Sequence, residues 1–512
     1  MTGYRLGILH VGIVAAALLF FVFVHAAIAA DWAVIGTVPG ATRLLWLDAI
    51  ACIFWLGMIW LLWVRARYRG DFLLLVLPVA IWLTTRPFQF GLMTSPLSAS
   101  QQSSTRSAAT AAEGSAPTTT RADAVDVVAE RLRLHQLLQD LPDTGAVPAI
   151  REAARSSNLS DANAPKPVTA RQMLSTLPVV AAPLALLLGF HFARAGGLRQ
   201  VRRLRWILLS LAVVGGIMAR VASQRVIAGF TPLELVLPVA AATVAAFLAE
   251  GVSDIRLGLG TALRADGIPF AAIALLGVPF FPLTIVGGPH VAEVGVLAVL
   301  LSAAVTAAVT VVLRRWFLLS VVGLCIGLVA LAFTLSDRPR ERWENAIRPY
   351  PSLSSLSPES QVKVARRNAQ TRMSDAALLD GGVWGLGPGR GSAVLVPRPA
   401  DDTFFASFAA DWGLVGTTFV VCLYAVLLVR IAVLATLQDH ALERAVVAAF
   451  GAILAAPLFL SFLGSVRALP LTGVPVAFAT QGGAKTLAAA FAQGMLAYIS
   501  HATSLVAADD RI

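Results

Sequence analysis

Charge is what this chain has least of. Only 13% of its 512 residues are Asp, Glu, Lys or Arg, about half of the roughly 25% carried by an ordinary soluble domain. With 57% hydrophobic residues and a mean hydropathy of +0.76, that shortage excludes a water-soluble globule of usual composition. Cysteine is scarce as well. Cys52, Cys325 and Cys422 each lie in an apolar block, and none stands at a metal-ligand spacing, which removes disulfide frameworks and zinc sites. They are expected as small hydrophobes packed between helices. A Lys-Ser/Thr pair is missing behind the glycine-rich stretch 381–391, so this is no phosphate loop of the Walker type.

What is present is a series of apolar blocks. A spanning helix needs about 20 predominantly apolar residues. The blocks at 7–29, 44–64, 72–92, 173–193, 205–222, 232–250, 267–286, 291–313, 316–335, 403–430, 445–465 and 474–500 make twelve spans. The third, interrupted by Arg86-Pro87, is the weakest of them. Placing the N-terminus in the cytoplasm puts Arg65, Arg67 and Arg69, the cluster Arg194 to Arg205, Arg314-Arg315 and Arg444 in inner loops. The short outer loops 30–43, 287–290 and 466–473 are then poor in basic residues, as the positive-inside rule requires. Arg220 and Arg225 run against it but are outweighed. The net charge of +11 is thereby assigned to helix ends and membrane lipid headgroups rather than to nucleic acid. Residues 7–30 end in Ala-Ile-Ala-Ala, like a signal-peptidase site, but the apolar run is long and favours an uncleaved anchor.

Two long segments then fall outside. Residues 94–172 are rich in Ser, Thr and Ala, with an amphipathic stretch at Asp123–Leu141; they read as a flexible insertion bearing one surface helix, with partner docking as the alternative. Residues 336–402 are dense in Arg, Gly and Pro. Their middle, Gly381 to Gly391, holds six glycines in eleven residues, which lets the backbone turn or approach a ligand closely. Their end is Asp401-Asp402, at re-entry into the membrane. A partly desolvated carboxylate there is a stronger base, yet acidic residues also suit a helix N-terminus. Spacing does not choose between the two.

At this point the residues resemble a known family. Gly381-Gly-Val-Trp-Gly-Leu-Gly, Pro397, Asp402, Phe404-Phe405 and Asp411-Trp-Gly-Leu-Val-Gly416 are similar to the stretch around the catalytic aspartate of the SEDS glycosyltransferases, the RodA, FtsW and SpoVE type. Leu469-Pro-Leu-Thr-Gly-Val-Pro475, Phe478, Gln481-Gly-Gly483, Gly494 and Ile499-Ser500 resemble the family's closing LPxTGxP block, and Phe230-Thr-Pro-Leu-Glu234 its FQPSE segment. Arg225 falls near a characteristic arginine, and Arg342 to Pro349 repeats an arginine-to-proline spacing. The resemblance runs in order from about residue 173 to 502. It implies an all-α polytopic membrane protein of about twelve transmembrane helices, a ten-helix core plus two N-terminal helices, with two long outer loops. The organisation is then 1–71 as N-terminal extension and 72–502 as membrane domain, with 94–172 an enlarged outer loop and 336–402 the large catalytic loop. The chain departs from the family at Pro397-Arg398 for Pro-Glu, Ala400-Asp401 for His-Thr and Gly288-Pro289-His290 for Gln-Pro-Asp.

The resemblance implies polymerisation of peptidoglycan glycan strands from lipid II at the outer face of the cytoplasmic membrane, for division or cell shape. Asp402 is the implied base, with Asp401 as fallback. Arg342, Arg366, Arg367, Arg372 and Arg398 are available to the pyrophosphate, and a divalent cation such as Mg2+ is a further source of positive charge, although no ligand set for one is visible. Glu234 and Lys485 stand near outer helix ends, where ionisable groups are functional candidates; Lys485 is equally suited to snorkelling, and His290 reads as a helix-turn residue before a relay. A class B penicillin-binding protein is the implied partner. Both termini are expected in the cytoplasm. The competing functions are a lipid-linked precursor flippase, a non-catalytic scaffold, and an O-antigen polymerase or ligase, against which the LPxTGxP ending argues.

Overall fold

The computed structural model describes residues 12, 15–27, 41–94, 170–223, 233–253, 269, 271–277, 294–311, 315–335, 343, 371, 373–388, 393, 396, 399–400, 403–471, 473–480 and 483–509. Most of the 94–172 insertion, including Asp123–Leu141, and His290 lie outside them. Among the described residues every regular element is a helix. In lipid an unpaired backbone group costs several kcal/mol, and a helix satisfies its own. The helices are α1 (Ala15–Ala27), α2 (Ala41–Val64), α3 (Leu73–Thr94), α4 (Ala170–Arg194), α5 (Gly197–Arg203), α6 (Arg205–Ser223), α7 (Leu233–Ser253), α8 (271–277), α9 (Val294–Val311), α10 (Arg315–Leu335), α11 (373–381), α12 (Phe404–Thr436), α13 (Ala441–Ser465) and α14 (Gly483–Asp509).

The protein is an all-α, multi-pass membrane protein. Four described helices are long and apolar enough to cross a bilayer on their own, within α2, α3, α12 and α13. The bent pair α4–α5, turning by 72°, passes the same test jointly. The turn falls at Ala195-Gly196, and α5 carries Arg199, Arg202 and Arg203, so α5 suits the membrane surface better than its interior. Shorter apolar helices lie within α1, α6, α7, α9 and α10.

The weakest expected span proves the most enclosed of these four. In α3, 94% of the apolar window is buried, because α2, α12 and α14 all pack on it. Its two prolines stay inside the helix. A proline has no N–H, so Pro78 frees the carbonyl four residues earlier. The buried Gln493 amide of α14 donates to that Leu74 oxygen at 2.7 Å. A polar group from another helix also meets the backbone at 477–479.

The most extensive helix pair is α4 with α14. A Cβ at Gly189 would lie 2.0 Å from the Phe491 carbonyl oxygen, and one at Gly494 2.0 Å from that of Leu186. Small residues bring the two backbones together, the usual route to tight packing where the solvent is itself apolar. Behind them, α13 packs on α7, α9 and α12. At the end opposite Thr94, Asp71 anchors the turn before α3: its carboxylate accepts from Leu73 N–H at 3.1 Å and pairs with Arg430 of α12, while its own N–H donates to Ser500 Oγ at 2.8 Å. Burial pushes the neighbouring Tyr68 hydroxyl well above its ordinary pKa, and it donates to the Asp71 carbonyl at 3.0 Å. Of the cysteines, Cys52 and Cys325 are buried as expected, but Cys422 is exposed on α12. The apolar run in which it lies has one face away from the bundle, which hydropathy averaging cannot distinguish.

Candidate functional site

The large loop enters the described residues as α11, whose Ser374 and Ala377 are buried. Asp375 accepts from Arg467 at 3.4 Å, tying α11 to the turn after α13. The chain then runs through Gly381 to Pro388 against α12. That helix breaks at Gly413, at φ 66 and ψ −171, a region open essentially to glycine alone.

An unbroken helix would pair Leu414 N–H with the Ala410 carbonyl and Val415 N–H with that of Asp411. The glycine-rich loop replaces both bonds. Leu386 N–H donates to Ala410 O at 3.0 Å and Gly387 N–H to Asp411 O at 2.9 Å, while Leu414 and Val415 N–H donate to Gly382 O at 3.0 Å and Val383 O at 3.1 Å. No room is left for side chains at the crossing. A Cβ on Gly413 would sit 2.3 Å from Val383 O, and one on Gly385 2.2 Å from Asp411 O. The glycine run and the Asp411-Trp-Gly motif therefore form one interlocked unit.

This unit holds the first turns of α12. Phe404 packs edge-on against Phe88 of α3 at 5.9 Å and stacks with Phe408 at 5.4 Å, and Phe405 meets Phe462 of α13 at 5.6 Å. The N-cap position belongs to the fully buried Thr403, whose carbonyl accepts from Ser407 N–H at 2.9 Å. A place at a helix N-terminus was one of the two roles open to the aspartates, and the N-cap position itself belongs to Thr403. Asp401 and Asp402 lie outside the described residues, as do Arg342, Arg366, Arg367, Arg372 and Arg398.

The other two expected site residues lie at helix starts. Glu234 in the first turn of α7 and Lys485 in the first turn of α14 are both buried, and the Glu234 charge acts on the Lys485 ammonium. Lys485 Nζ makes no hydrogen bond among the described residues. Just before Lys485, the stretch 473–480 is held from two helices. Tyr424 of α12 donates to the Ala477 carbonyl, and on α3 Thr85 donates to that of Phe478 at 3.4 Å and Gln89 to that of Ala479. Sequence reasoning did not single out Thr85, Gln89 or Tyr424. Their signal was present, as polar groups inside apolar runs. The starts of α7, α12 and α14 and the end of α13 thus meet at one end of the bundle.

The family model described as cell cycle protein, covering FtsW, RodA and SpoVE, matches residues 207–505. The peptidoglycan glycosyltransferase RodA of Mycobacterium tuberculosis is 33% identical over 121 residues, 24% of this chain and 26% of that protein. A probable peptidoglycan glycosyltransferase FtsW of Enterococcus hirae is 29% identical over 126 residues, 24% of this chain and 32% of that protein. These alignments span a third or less of the relatives' length. The crystal structure of the rod shape determining protein RodA from Thermus thermophilus aligns at 21% identity over 66% of this chain and 89% of that one, with a TM-score of 0.40. A peptidoglycan synthase complex aligns at 17% identity over 73% and 98%, with a TM-score of 0.41. The glycine loop, the broken α12, Glu234 and the closing block all fall inside the matched 207–505, and the chain belongs to the FtsW/RodA/SpoVE family.

Proposed function

We propose that this protein polymerises peptidoglycan glycan strands from lipid II at the outer face of the cytoplasmic membrane, serving cell division or cell shape. The observation that carries the reading is the interlock of the glycine loop with α12. It fixes the course of α12, whose N-cap Thr403 follows Asp402 in the sequence, and a base needs a fixed support to act. Family membership and relatives named as peptidoglycan glycosyltransferases support the same reading.

In the reaction, an acceptor sugar hydroxyl attacks the anomeric carbon of the donor. The new C–O bond forms as the bond to the undecaprenyl pyrophosphate breaks. Asp402 takes the hydroxyl proton, with Asp401 in reserve. The departing pyrophosphate gathers negative charge, which Arg342, Arg366, Arg367, Arg372 and Arg398 are placed in sequence to meet. Lys485, buried and with unused donors, suits an anionic group near Glu234, and a divalent cation such as Mg2+ can share that task. A class B penicillin-binding protein is the expected partner, to cross-link the product. The cell membrane is the cytoplasmic one, with both termini inside.

Purified protein given labelled lipid II is expected to yield glycan chains, and Asp402→Ala none. Absence of polymer from the unaltered protein, even with its cognate class B penicillin-binding protein, would overturn the reading. Transport of lipid II across vesicles by the same preparation would then favour a flippase.

A further inference from the structure

A line of polar groups runs through the apolar packing of α1, α2 and α3. His25 of α1 has Nδ1 2.9 Å from the Phe21 carbonyl oxygen and Nε2 3.5 Å from Asp48 Oδ2 of α2. Asp48 Oδ1 accepts from Arg86 Nε at 2.7 Å, and Arg86 Nη1 donates to Gln89 Oε1 at 2.8 Å. Gln89 Nε2 donates in turn to the Ala479 carbonyl. His25, Asp48, Arg86 and Gln89 are all at least 95% buried.

An arginine inside a bundle is costly, and a leucine would fill the space without a charge to bury. What the arginine adds is direction. A glutamine side chain has a donor end and an acceptor end of nearly equal shape. With Arg86 donating to its oxygen, the Gln89 amide N–H is left facing Ala479. The carbonyl it meets follows Phe478, which sits at φ 64, a conformation that bulky residues avoid without outside support. Trp55 of α2 adds an edge contact to the Phe478 ring at 6.3 Å. The helices supplying this support end at residue 94, whereas the family match begins at 207.

We propose that Asp48 is a positioning residue for the 473–480 loop: it holds Arg86, Arg86 orients Gln89, and Gln89 holds the loop backbone. The first two helices are thereby part of the apparatus that shapes a family motif lying some 400 positions later in the chain.

The test uses the full-length protein with Ala477→Cys as reporter. A Cys422→Ser background removes the exposed native thiol, and Ala477 is buried. The maleimide labelling rate then reports release of the loop. Asp48→Asn and Gln89→Leu are each expected to raise it about tenfold, the scale of one buried hydrogen bond lost, and together no further than either alone. Should Asp48→Asn not yield monodisperse protein, the pair Asp48→Asn/Arg86→Met removes both charges at once. Its labelling stays raised if Arg86 guides Gln89. A wild-type rate in that pair would assign Asp48 and Arg86 to mutual neutralisation alone and overturn the proposal, as would additive effects of Asp48→Asn and Gln89→Leu. The readout is loop exposure, so it is independent of whether the protein polymerises glycan.

Discussion

At the scale of single residues, several buried charges among the described residues meet a partner from another helix. Lys485 and Glu234 are one case, buried on α14 and α7, with the Glu234 carboxylate favouring the charged form of Lys485. Lys485→Met removes a buried amine on which the Glu234 carboxylate acts, so a loss of stability is expected. Adding Glu234→Gln should recover more than half of that loss, measured by thermal unfolding in detergent. Both residues were visible in the sequence as ionisable groups near helix ends, but not as a pair, since hydropathy carries no information on which helices are neighbours. Arg86 shows the same blindness in reverse. Within its own segment it reads as an interruption, because the Asp48 that neutralises it lies on another helix at 2.7 Å.

Among the elements, α12 combines the most legible and the least legible features. Its apolar run announces a span, and the structure extends it to Thr436. The break inside it depends on a loop that precedes it in the chain, and the hydrogen bonds that make the break tolerable belong to that loop. Gly413→Ala must enter a backbone region costing about 1–3 kcal/mol for other residues, with a Cβ 2.3 Å from Val383 O. Loss of polymerising activity and a drop in unfolding temperature are both expected. Gly327→Ala on α10 is the contrast. Nothing lies within 4 Å of its Cβ, so a helical alanine should be neutral or stabilise by up to about 1 kcal/mol, by the same unfolding measurement. Two short helices escaped the sequence. The arginine-rich α5 looked like a loop between spans, and α11 sits in a segment whose Gly and Pro content argued against helix.

For the whole molecule, apolar blocks sufficed for class, because the bilayer demands a span's length of apolar residues each time, and arginine asymmetry gives the proposed orientation. The proposed orientation makes a direct prediction. Alkaline phosphatase inserted within 94–172 should be active, and the same enzyme fused after Ile512 inactive; activity at both sites, or at the C-terminus alone, refutes the orientation. The outward faces agree with lipid contact, for Leu19, Trp60 and Leu188 are at least 60% exposed. The position of the seven loop residues expected at the site was not legible, because a long loop obeys no periodicity. Among the described residues of this loop, α11 is tied to Arg467 and the glycine run to α12.

Pro78 has a consequence in time as well as in space. The carbonyl it leaves open on Leu74 is closed by Gln493, across 419 positions of chain. Synthesis proceeds from the N-terminus, so α3 enters the bilayer with a bare acceptor that no neighbour can meet until α14 has been made. One of the earliest segments of the bundle is completed by its last. A ribosome-bound intermediate lacking α14 should therefore hold α3 beside the insertion machinery or in a wet environment, and release it into lipid only when the final helix arrives.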